Sequence, residues 1–223
     1  MTRARPAPAG PGHVAERARP GAPGVGARLG VVAAGVAFLL LRPALWELPG
    51  AAAVLAAGYL ALAAAAAMGA GGDGAWPEAR AARPGPLAWP VVLAVGLAGV
   101  VAVALAAGPA FALRADATAV GLDAVAAVAE EALFRGVLYG LLYGLLDRGA
   151  RAALSRWRLP AALAVAGSAV LFALVHVPLY GAAAVPVDLG AGLLLAWQRW
   201  ASGRWTVPAA THAVANLLAV ILR

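Results

Sequence analysis

The sequence predicts an all-α fold, a polytopic bundle of transmembrane helices, and three observations carry that prediction. Of the 223 residues, 63% are hydrophobic and only 12% charged, where a soluble domain carries about 25% charged residues. The mean hydropathy is +0.84. The apolar residues gather in seven runs, each near the roughly 20 residues that a helix needs to cross a bilayer.

The elements follow in chain order. Residues 1–28 are rich in Pro, Gly, Ala and Arg without periodicity and read as a disordered cytoplasmic tail. A secretory signal peptide is the rival reading, but no small-residue cleavage site follows Leu41. Spans are expected at 29–46, 51–70, 89–108, 118–146, 159–177, 182–200 and 206–222, the first interrupted by Arg42 and Pro43. An extra helix within 89–127 would make eight. The fourth run is too long for an upright helix, so it tilts, protrudes or starts as a separate short helix. Gly140 and Gly144 in that run have the spacing of close helix packing. Residues 29–222 thus form one transmembrane domain.

All the basic side chains are arginines. With the N-terminus inside, thirteen arginines fall in inside segments and three (Arg42, Arg114 and Arg223) outside. That bias predicts a multi-pass protein of the plasma membrane with a cytoplasmic N-terminus. The arginines occupy short breaks between apolar runs, which argues against a nucleic-acid partner despite the net charge of +7. There is no cysteine, which excludes thiol nucleophiles and Cys-based metal sites.

Ionisable groups inside spans are expensive and mark function. Glu130, Glu131, Arg135, His176 and His212 lie there, with Asp123, Asp188 and the amide of Asn216. On a helix Arg135 lies about 40° from Glu131 but about 140° from Glu130. Glu131 and Arg135 therefore pair as i, i+4 neighbours, and Glu130 is left as the carboxylate suited to general-base chemistry. His212 and Asn216 are also i, i+4 and share a face. Each pattern alone fits helix bridging as well as chemistry. Together they bring a carboxylate, two imidazoles and an amide from three helices. Such a set can activate a water and donate to an oxyanion, or hold a zinc-like ion through Glu130, His176 and His212. Asp123 and Asp188 read as interface residues.

Three motifs in order, Glu130-Glu131-x-x-x-Arg135, Phe172-x-x-x-His176 and His212-x-x-x-Asn216, resemble those of the CPBP family of intramembrane proteases, also called the Abi or CAAX-protease family. Gly190-x-Gly192 is similar too, and the resemblance covers about residues 118–222. It implies a peptide-bond hydrolase acting on a peptide or protein presented in the membrane or lipidated. By that resemblance Glu130 is the water-activating base, aided by His176. His212 and Asn216 stabilise the tetrahedral intermediate, and Glu131 and Arg135 shape the site. No cofactor is favoured, because Asn216 is a poor zinc ligand and a good donor. A proton-coupled carrier and a catalytically silent immunity or scaffold protein are the alternatives. One tension stands in this reading. His176 lies near the outer end of its span and His212 about 9 Å from the inner end of its own. Either the fifth span is shifted or the segment around 200–208 dips into the membrane.

Overall fold

Ala, Leu and Val runs without polar breaks leave the backbone only one way to satisfy its N–H and C=O groups in an apolar medium, and that is the helix. The computed structural model describes residues 23–70, 88–106, 117–149 and 158–221. Among these the chain is helical and holds no strand. The elements are α1 (Val25–Trp46), α2 (Ala51–Ala70), α3 (Trp89–Ala106), α4 (Ala117–Glu131), a π-helical segment (Ala132–Leu138), α5 (Tyr139–Gly149), α6 (Arg158–Tyr180), a 3-10 turn (Ala182–Ala184), α7 (Val185–Ser202) and α8 (Thr206–Ile221). α4, the π segment and α5 are one continuous rod, so the described residues form seven helices matching the seven apolar runs. Three helical stretches, Val25–Trp46, Ala51–Ala70 and Leu159–Tyr180, are long and apolar enough to cross a membrane. Residues 1–22 of the expected tail lie outside the described residues, while Val25–Arg28 already belong to α1.

Two prolines were expected to limit helices and do not. α1 runs through Pro43 to Trp46, and α6 runs through Pro178 to Tyr180. Pro43 has no N–H to give the carbonyl of Leu39 four residues earlier. The neighbouring side chain supplies one: Arg42 Nε donates to Leu39 O at 3.1 Å. The helix turns are closed elsewhere by glycine. Gly203 ends α7 at φ +68° with its N–H on Arg199 O at 2.9 Å, and Gly181 at φ +78° separates α6 from the 3-10 turn. A Cβ disfavours such angles.

The π segment is the centre of the bundle. Every residue from Ala132 to Leu138 is buried, and the segment touches α1, α2, α6, α7 and α8. Leu133, Phe134 and Val137 pack there with Leu39, Leu55, Leu62, Phe172 and Val175. Outward positions such as Leu40, Leu60, Val95 and Leu174 are apolar as well, the signature of helices that meet lipid on one side and protein on the other. Packing between such helices depends on close approach rather than on expulsion of water. At Gly192 of α7 a Cβ would sit 3.1 Å from the Cα and carbonyl oxygen of Ala169 on α6. At Gly144 it would meet nothing within 4 Å, so that position is not a close helix contact.

The turn between α7 and α8 is partly buried, with Arg204 and Thr206 exposed. Ser202, Gly203 and Val207 are enclosed. Arg199 is 1% exposed, and its Nε donates to the carbonyl of Arg135 in the π segment at 2.9 Å. His176 lies four residues before the end of α6, which runs on to Tyr180, and His212 six residues into α8.

Candidate active site

The rod of α4 and the π segment delivers two adjacent carboxylates into the interior. Successive helix positions point about 100° apart, so Glu130 and Glu131 reach toward different neighbours, and each meets one arginine and one histidine.

Glu131 is fully buried, and Oε1 accepts from Arg135 Nη1 at 2.8 Å and lies 3.0 Å from His212 Nδ1. Arg135, also fully buried, uses Nη2 to donate to the carbonyl of Gly192 at 3.0 Å. Its guanidinium carbon lies 4.5 Å from the centre of the Phe172 ring. The i, i+4 pair read from helical spacing is therefore formed, and its second hydrogen bond ties the rod to α7. The carbonyl it uses belongs to the glycine that packs against the Ala169 backbone of α6.

Glu130 takes the other direction. Arg42 Nη1 donates to Oε1 at 2.6 Å, and His176 Nε2 lies 3.6 Å from Oε2. His176 Nδ1 is 2.7 Å from the carbonyl oxygen of Phe172. A carbonyl only accepts, so Nδ1 carries the proton and Nε2 is the atom presented to Glu130. The ring also stacks on Tyr180, with centroids 5.8 Å apart. Phe172 sits between the two histidines, its centroid 4.6 Å from that of His176 and 5.6 Å from that of His212.

Several expected residues meet differently from the sequence reading. Glu130 has no partner on its own helix, as the angles required, yet it has one on α1. His212 faces Glu131 rather than Glu130. Asn216 is half-buried one turn further along α8, where Nδ2 donates to the carbonyl of Asp123 at 3.2 Å. The contacts Glu131–His212 and Asp123–Asn216 run in opposite chain directions, so α4 and α8 are antiparallel.

Arg42 was placed in an outside segment by the charge count and is instead among the buried polar residues, 3% exposed. Besides Glu130 and Leu39 it donates to Tyr59 OH at 3.2 Å and to the carbonyl of Val175 at 3.4 Å. The signal that marks it is the one that marked the carboxylates: a charge inside an apolar run. Pro43 disguised it by suggesting an interruption of the run.

The zinc-like alternative needs Glu130, His176 and His212 together. Among the described residues no three His, Cys, Asp or Glu side chains converge as a metal-ligand set. Glu130 Oε1 already carries a guanidinium, and a second cation beside it is electrostatically unfavourable.

Residues 117–218 match the family model described as type II CAAX prenyl endopeptidase Rce1-like. That stretch is similar to the Rce1-like family over a little under half of the chain. The comparisons with curated proteins and with solved structures give no match. The similarity points to a membrane protease, a hydrolase of peptide bonds. The matched stretch runs from α4 to most of α8 and therefore contains both carboxylates, both histidines and Asn216. It does not contain Arg42.

Proposed function

We propose that the chain is an intramembrane endopeptidase that cleaves a membrane-presented or lipidated peptide with a water activated by Glu130. The observation that carries this reading is Oε2 of Glu130 facing Nε2 of His176 across 3.6 Å in the buried interior. With Nδ1 protonated, both facing atoms of the neutral pair are acceptors. A separation beyond direct hydrogen bonding invites a bridging water, whose two O–H groups match two acceptors. Glu130 takes one proton as the water oxygen bonds to the scissile carbonyl carbon. The C=O electrons move onto oxygen, and the proton passes to the amine as the C–N bond breaks. The second amide proton of Asn216 is the donor assigned to the oxyanion, and His212 Nε2 joins it only in the imidazolium form, because the neutral ring gives its one proton to Glu131 through Nδ1. Arg135 and Glu131 keep His212 and α7 in place.

Seven crossings with a cytoplasmic N-terminus belong to the same proposal. The arginine distribution supports them, and so does helix parity. Arg42 near the end of α1 meets Val175 near the end of α6, as two odd-numbered crossings do. α4 and α8, an even and an odd crossing, are antiparallel.

The test is purified protein in detergent with a peptide library, read by mass spectrometry with and without a chelator. Cleavage is expected in both samples, and loss on chelation would return the reaction to a metal. Asn216→Ala should lower the rate by about 10²–10³-fold. A proton-coupled carrier built on the Glu/His pairs would tolerate that change and show no cleaved peptide at all.

A further inference from the structure

We infer that Arg42 is a positioning residue of the active site, supplied by α1 from outside the stretch that matches the Rce1-like family. The inference rests on the reading of Glu130 as the base. One guanidinium makes four contacts on four helices: Leu39 O on its own α1, Tyr59 OH on α2, Glu130 Oε1 on α4 and Val175 O on α6. Val175 directly precedes His176. The same planar fork therefore grips the carboxylate on one side of the reaction centre and the backbone beside the imidazole on the other.

Two consequences follow from that fork. By occupying Oε1 it fixes the carboxylate rotation, so that Oε2 is the oxygen turned to His176. By holding Val175 it fixes the 3.6 Å gap between Oε2 and Nε2. Arg42 is itself held by the proline that follows it. Pro43 leaves the Leu39 carbonyl without its helical donor, and Arg42 Nε takes that carbonyl at 3.1 Å. The Arg-Pro step thus aims the guanidinium inward at the point where α1 passes the carboxylate. The α1–α2 hairpin becomes part of the catalytic apparatus rather than a lipid-facing appendage.

Lysine keeps the charge but is a point donor without the planar fork, so it cannot hold both sides at once. The experiment measures kcat and KM on a cleaved library peptide for wild type, Arg42→Lys, Arg42→Gln, Glu130→Gln and the double Arg42→Gln/Glu130→Gln, with thermal stability of each. Arg42→Lys should remain folded and lose about tenfold in kcat with KM little changed. Arg42→Gln should lose about 10²-fold, the scale of a misplacement near 1 Å. In the Glu130→Gln background, Arg42→Gln should slow the reaction no further and should recover thermal stability. A folded Arg42→Lys with wild-type kcat overturns the inference, as does an Arg42→Gln loss of equal size with and without Glu130. If those results appear while Glu130→Gln is inactive, the inference falls and the assignment of the base stands. If Glu130→Gln cleaves like wild type, the base assignment itself is what has failed.

Discussion

Glu130→Gln is expected to lower peptide cleavage by about 10²–10⁴-fold, the range that a positioned general base contributes. Glutamine has nearly the shape of glutamate and fills the same volume, so the packing around the rod changes little. What it lacks is the ability to take a proton from water. If its amide oxygen stays on Arg42, the NH₂ group turns to His176 Nε2 and replaces an acceptor with a donor. The water then loses one of its two anchors. The change also leaves the Arg42 guanidinium, 4% exposed in its side chain, without its counter-charge. Such a loss costs about 3–5 kcal/mol when the other ion stays buried. The measurement therefore pairs a rate with a melting curve. A protein that melts above the assay temperature yet cleaves nothing supports the assignment. Cleavage within a few fold of wild type refutes it, whatever the stability.

How much of this site could be read from the sequence depends on what kind of geometry each residue needed. The Glu131–Arg135 pair follows from rotation along a single helix, and the structure has it at 2.8 Å. The inward placement of both histidines follows from the price of a polar group in hydrocarbon. Which carboxylate each histidine meets is not a property of one helix. His212 is opposite Glu131 because α8 lies antiparallel to α4. Nothing in the spacing of His212 and Asn216 encodes that orientation. The π geometry is equally silent in sequence, since Arg135 marks a buried charge in Ala132–Leu138 but nothing there marks a change of helix type.

Arg42 shows the opposite failure, in which a rule was available and another overrode it. The charge rule marks any arginine inside an apolar run. The Arg42-Pro43 step reads as an interruption of the 29–46 span, and the charge count then places a site residue among the outside charges. A proline can remain in an apolar helix when some other donor serves the carbonyl it frees. Here the residue that does so is the arginine beside it. An Arg-Pro step inside an apolar run is therefore a reason to look inward for a carboxylate, not outward for a loop.

Arg135→Met is expected to destabilise the protein by about 3–5 kcal/mol, because it strands Glu131 as a buried charge. Two further contacts go with the guanidinium. The carbonyl of Gly192 loses its donor, and the face of Phe172 loses a cation 4.5 Å from its centre. A shift of this size corresponds to roughly 10 °C in melting temperature for a chain of this length, read by a detergent thermal-shift scan at one fixed rate. The control is Arg135→Met with Glu131→Leu, which removes both charges. If the loss reflects an uncompensated ion, the double change should recover most of the stability, since apolar replacement of a buried pair is often neutral. The recovered protein should still cleave poorly, because His212 would have lost the carboxylate oxygen 3.0 Å from its Nδ1. A single variant that melts within two or three degrees of wild type would show that Glu131 finds another partner without Arg135. A double variant with full activity would show that His212 does not need Glu131 to do its part.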